Sequence, residues 1–124
     1  MPDSENPKKR FGVAKPSPHF IPPIAILEES VVMALGGTKY GAYNWNDKPV
    51  DASTYYDAAL RHIMSWYTGE DRDPESGASH LAHARACMAI LLDAQATGTL
   101  IDDRPRKTAK ASEAIARLAK KVAA

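Results

Sequence analysis

The sequence predicts an all-α fold, and three observations carry that prediction. Apolar residues recur at three- and four-residue steps through most of the chain, no stretch alternates apolar and polar as a strand would, and no internal repeat is present. With 124 residues, 44% hydrophobic and 25% charged, the chain has the length and composition of one globular domain. That excludes a two-domain enzyme with its own cofactor module, wholesale disorder and a disulfide scaffold.

The elements follow in order. Residues 1–23 hold six of the nine prolines, and since proline fixes its own dihedral and lacks an amide donor, an extended arm is expected there. Pro22 and Pro23 suit the first turn of a helix, whose amides lack partners anyway. Ile24, Leu27, Val31, Ala34 and Leu35 form the stripe of that helix, which Gly36-Gly37 is expected to end. A Gly- and aromatic-rich loop follows. Ser53 or Thr54 then caps a second helix with Tyr56, Ala59, Leu60, Ile63 and Tyr67 as its inner face, ending at Gly69. A third helix starts near Ser79, turns Leu81, Ala84, Met88, Leu91 and Leu92 inward, and fades at Thr97-Gly98. The core is thus placed at 24–100. Residues 101–124 read as a linker and a basic amphipathic helix from about Thr108, with Ile115, Leu118, Ala119 and Val122 on one face. Three helices and a tail give a modest core, which calls for burial of more apolar surface in an oligomer.

The near-neutral charge conceals a division. Residues 104–124 carry seven basic side chains and one acidic one, whereas residues 16–103 carry five basic and twelve acidic ones. Cys87 is the only cysteine, so no intrachain disulfide is possible, and neither an apolar signal core nor an 18-residue apolar run occurs. A reduced, cytoplasmic protein without membrane contact is expected.

Four groups of residues resist a purely structural account. Glu28 lies within the apolar face of the first helix, where a carboxylate is costly unless a metal, a cation or hydrogen bonds stabilise it; leaning out to solvent or onto an Arg is the alternative. Glu70, Asp71, Asp73 and Glu75 crowd one short loop, a solvated acidic loop or an oxygen-rich site for Mg²⁺ or Mn²⁺. His80 and His83 share a helix face that Cys87 continues, as metal ligands, phosphate contacts, packed histidines or a zinc site. Lys39, Tyr40, Asn44, Trp45, Arg61 and His62 join cations to aromatics, which suits an anionic phosphate chain and a stacked base. For Arg61 the plainer reading is a surface pair with Asp57, and for Trp45 it is core packing. No phosphate-loop, dinucleotide-fold or Ser/Cys nucleophile motif appears, which makes a metal-activated water the natural reagent.

Taken together, Gly37-Thr38-Lys39-Tyr40-Gly41, Asn44-Trp45, Tyr56, Arg61-His62, Gly69-Glu70, Asp73, Glu75-Ser76-Gly77 and His80-Leu81-Ala82-His83-Ala84 resemble the phage and bacterial dATP/dGTP diphosphohydrolase family. That family is a branch of the MazG-like all-α nucleoside triphosphate pyrophosphohydrolases, and the matching segments run from about Ile21 to Leu92. The resemblance implies a MazG-like helical bundle, assembled as a dimer or tetramer, that binds more than one Mg²⁺ or Mn²⁺ ion. It implies cleavage of dGTP or dATP to the monophosphate and pyrophosphate. MazG-like enzymes hold metal with a Glu-x-x-Glu pair and a Glu-x-x-Asp pair on successive helices. Here Arg61, His62 and Ser65 stand where the first glutamates would fall, and His80-x-x-His83 where the second pair would. The one Glu-x-x-Asp is Glu70 to Asp73, in the loop.

The expectation is therefore a metal site moved toward the loop: Glu70, Asp73 and Glu75 with Glu28, His80 and His83 as ligands. One of Glu70, Asp73 and Glu75 serves as base. Lys39, Arg61 and His62 contact phosphate, and Tyr40, Asn44 and Trp45 or the Phe20–Ile24 region hold the rest of the nucleotide. The competing reading is a non-catalytic oligomeric helical module that grips nucleic acid through its basic tail. The carboxylate and histidine groupings argue against it, because a DNA-binding bundle has no use for them.

Overall fold

The computed structural model describes residues 6–123. Six helices run in order as α1 (Pro7–Gly12), α2 (Pro23–Tyr40), α3 (Asn44–Asp47), α4 (Ala52–Tyr67), α5 (His80–Thr97) and α6 (Ala111–Ala123), with a 3-10 turn at Pro18–Phe20. The fold is all-α. The expected arm is not uniformly extended: Asn6 accepts from the Lys8 amide and starts α1, although α1 buries nothing. Residues 1–5 of that arm lie outside the described residues. Two two-residue strands, β1 (Val50–Asp51) and β2 (Leu100–Ile101), pair in parallel. They are too short to show a period in sequence.

Helix α5 is the centre, with α4 on one side and α2 on the other. Ser79 caps it by accepting from the Leu81 and Ala82 amides, as expected of a residue that begins a helix. Its buried residues are His80, Ala82, Ala84, Ala86, Cys87 and Ala94, so of the expected inner stripe only Ala84 is fully buried. Leu81, Met88 and Leu92 are exposed. Alanine permits close approach of helix axes on both sides, and Val32, Ala78, Ala82 and Ala86, with Met33 packed against them, form the inner cluster.

The outer helices repeat the correction. On α2 the buried residue is Val32, while Ile24 and Leu27 of the expected stripe are 64% and 61% exposed. On α4 the inward face is Ala52, Tyr55, Ala58, Ala59, His62 and Ser65, and Tyr56, Ile63 and Tyr67 face out. Both helices carry two usable faces, and the chain packs the one with the smaller side chains. Gly36-Gly37 does not end α2. The helix runs on to Tyr40 and stops at Gly41, whose φ of +93° is closed to most side chains. Neither Ser53 nor Thr54 caps α4. Asp103, beyond β2, accepts from the Ser53 amide at 2.9 Å and from the Ser53 hydroxyl, so a distant carboxylate takes the cap's place and ties the start of α4 to the end of α5. The last helix begins at Ala111, slightly later than expected, and it buries no residue.

Candidate active site

A cavity of about 940 Å³ opens between α2, α3, α4, α5 and the loop that joins α4 to α5. That loop folds back on itself. Arg72 and Ser79 form an antiparallel bridge, the Asp73 amide donates to the Ala78 carbonyl at 2.8 Å, and Gly77 turns the chain with φ +74°. Asp73 Oδ1 accepts from the Glu75 amide at 2.9 Å, an Asx turn around Pro74. This hydrogen bond, more than the nearby histidines, holds the Asp73 carboxyl below its usual range. The acidic run is therefore a shaped hairpin that presents Asp73, Glu75 and Ser76 to the cavity.

Three histidines meet this hairpin. His80 is 4% exposed, and its Nε2 lies 2.6 Å from Glu70 Oε1. A carboxylate accepts, so that nitrogen carries the hydrogen. Its other nitrogen faces His62 Nδ1 at 2.9 Å. With His80 neutral, His62 Nδ1–H is the donor and His62 Nε2 keeps an open lone pair. The rings of His62 and His83 stack at 4.3 Å and 5°. Burial pushes the pKa of both below the ordinary imidazole value, and for His62 the adjacent His83 pushes it further. His83 in its neutral form accepts at Nε2 from the Ser76 hydroxyl, 2.7 Å away. Asp73 Oδ2 stands 3.9 Å from the same nitrogen. A serine-hydrolase relay engages opposite nitrogens of its histidine, so Ser76, His83 and Asp73 do not make one.

His62, Asp73 and His80 can each bring a ligand atom within 4.8 Å of the others'. Two imidazoles and a carboxylate suit a transition-metal cation, Mn²⁺ included, better than Mg²⁺, which prefers an all-oxygen set. Cys87 is buried, and among the described residues no metal-type group unites it with His80 and His83, so the zinc triad is not assembled.

Of the residues expected at the site, Lys39, Tyr40, Asn44, Trp45, Arg61, His62, Asp73, Glu75 and His83 all border the cavity. Among the described residues Arg61 makes no ion pair with Asp57. Glu70 and His80 lie outside that lining and are linked to it through His62. Glu28 does not join them: it lines a separate cavity of about 260 Å³ beside Trp66, Asp71 and Arg72. Its neighbour Glu29 reaches Arg85 of α5 at 3.0 Å. Trp45 is 8% exposed and donates its indole N–H to Asp93 Oδ2 at 2.7 Å, so it is core packing and cavity wall at once. The sequence reading missed Tyr55 and Asp93, which also border the cavity. Asp93 carries a signal, as the single charge between Met88 and Thr97.

The fold and this cavity define an all-helical protein with a histidine-supported cleft that brings carboxylates together with the cationic side chains Lys39 and Arg61. Residues 5–104 match the family described as dATP/dGTP diphosphohydrolase, N-terminal, and the chain belongs to that family. A dATP/dGTP diphosphohydrolase of Salmonella phage PMBT28 is 30% identical over 96 residues, covering 77% of this chain and 30% of that protein. The chain thus spans about a third of the length of this curated relative. No solved structure matches. Among the described residues no helix is long and apolar enough to cross a membrane.

Proposed function

We propose that the chain is a hydrolase of deoxypurine triphosphates, converting dGTP or dATP to the monophosphate and pyrophosphate with the help of Mn²⁺ or Mg²⁺. One observation carries this reading: a single cavity gathers Asp73 and Glu75, the cations Lys39 and Arg61, and aromatic walls. Carboxylates alone would repel a triphosphate, so their placement beside phosphate-binding cations makes sense with divalent metal between them.

His62, Asp73 and His80 would hold the cation, with Glu75 at the cavity edge for a second. Bound there, it would lower the pKa of water and offset charge on the phosphates. For both Nδ1 atoms to face the cation, His62 would carry its hydrogen on Nε2 instead of Nδ1, a change of tautomer without net release of a proton. Glu70 orients His80, and through it His62, as outer partners of metal-binding histidines do. Glu75 accepts the proton of the attacking water. Arg61 and Lys39 hold the phosphates, Arg61 through its planar fork, and Ser76 fixes the His83 ring against His62.

The motifs are also similar to those of MazZ, the phage enzyme associated with replacing adenine by 2-aminoadenine, and trimming a phage deoxypurine pool is the role inferred. A homo-oligomer is part of the proposal. Ile24, Leu27, Val31 and Leu35 form an outward apolar stripe on α2, which a second copy would cover.

The test is to incubate the purified chain with Mn²⁺ or Mg²⁺ and each deoxynucleoside triphosphate and to identify products. Monophosphate with pyrophosphate supports the reading. Release of single phosphates or of tripolyphosphate overturns it.

A further inference from the structure

We infer that Asp93 determines which purine the cavity accepts, and that it selects bases carrying a 2-amino group, guanine foremost, over adenine. The inference rests on the proposed function and adds a residue and a substrate preference to it.

Helix α5 forms the cavity's floor. His83, Cys87, Ile90 and Asp93 follow one another at helical spacing and all border the cavity. Ten residues of helix from His83 to Asp93 span about 15 Å, comparable to the reach of an extended nucleoside triphosphate. If phosphates lie at His83, Asp73 and Arg61, the base lies toward Asp93. The wall between is apolar, as a purine ring requires.

The chemistry of that far end is specific. Asp93 is half-buried, and Oδ2 is fixed by the indole N–H of a buried tryptophan at 2.7 Å. No described residue donates to Oδ1. A carboxylate is acceptor-only, and each oxygen takes more than one hydrogen bond. Guanine offers it two adjacent donors, N1–H and the N2 amino group. Adenine offers one donor at N6 beside the N1 lone pair, which would face a carboxylate oxygen. Asn44, which also borders the cavity, carries donor and acceptor both and does not separate the two bases. A matched bidentate pair discriminates by roughly tenfold or more.

The experiment compares kcat/KM for dGTP, dITP and dATP in Mn²⁺, with pyrophosphate as the product followed. dITP lacks only the 2-amino group, so the wild-type chain should cleave it about tenfold less efficiently than dGTP. Asp93→Asn puts an amide donor beside an acceptor, the complement of adenine. It should lower dGTP cleavage and raise that of dATP, moving their ratio by at least about tenfold. Equal efficiency on dGTP and dITP, or an unchanged ratio in a folded D93N, overturns the inference and leaves the proposed function standing. If D93N fails to fold, the dITP comparison on the wild-type chain decides. A wild-type chain that cleaves no triphosphate overturns both.

Discussion

The two ends of the cavity are held by different means. At one end the polar groups support each other: Glu70 on His80, His80 on His62, His62 stacked on His83, Ser76 on His83, and the Glu75 amide on Asp73. At the other end a single hydrogen bond ties Asp93 to a tryptophan already seated in the core. That tryptophan enters through Tyr43, a non-glycine residue at φ +55°, a conformation that costs on the order of 1 kcal/mol and persists because packing imposes it. The first end is a coupled network, where one substitution disturbs several groups. The second is modular, so it can change without disturbing the chemistry. That difference is what a reaction centre and a recognition element each require.

The contrast is sharpened most by removing the acidic groups. Asp73→Ala or Glu75→Ala should lower Mn²⁺-dependent dGTP cleavage by about 10²-fold or more with helical content by circular dichroism unchanged; an active double variant would place the chemistry elsewhere. Coupling is tested next. Glu70→Gln and His80→Ala should each cost about 10- to 100-fold, and the double variant should be little worse than either single one. Full additivity would show that the two residues act separately.

Smaller effects concern stability. In metal-free protein His62 and His83 sit below their ordinary pKa of 6.5, so the unfolded chain binds protons that the folded one refuses. Their contribution is full above about pH 6.5 and declines as pH falls from there toward the lowered folded values. Thermal melts in chelator should show Tm falling across that window, and His62→Gln should flatten the fall. Asp103 acts further down the scale. The Ser53 hydroxyl and amide hold its carboxyl below the usual value of 3.8, so its stabilisation is present above that value and lost as pH drops through the folded one. Asp103→Ala should lower Tm at neutral pH and leave purine preference unchanged. The smallest effect on cleavage is expected from deleting residues 104–124, since α6 buries nothing. Salt-sensitive DNA binding that vanishes with the tail, without triphosphate turnover, would instead favour the nucleic-acid reading.

The sequence was legible where a residue acts locally. Ser79 caps α5 and the periodicity marks α2, α4 and α5, because caps and helical spacing depend on near neighbours. The packing faces were not legible. Hydropathy favours Ile24 and Leu27 over Ala25 and Gly36 and cannot separate Val31 from Val32, yet close approach of three helices favours small side chains, and a second apolar face has to be assigned by tertiary contact. The site was legible in part for the same reason. Asp73, Glu75, Arg61 and His83 announce themselves by charge and grouping. Glu70 reads as a ligand but stands behind His80, and Asp93 joins the cavity only because Trp45, 48 residues away, is folded against it.

Near the acidic loop the His62–His80 contact joins α4 to α5, and at the far end the pairing of β1 with β2, reinforced by Asp103 on Ser53, fastens them again. From that fastening α4 extends over sixteen residues, about 24 Å, to the hairpin that carries Asp73 and Glu75. The two helices are thus braced at both ends, so the angle between them is set beside Asp93 and at the acidic loop alike. A nucleotide entering this cleft would meet a base end and a phosphate end that are both already shaped, with little binding energy spent on ordering the walls.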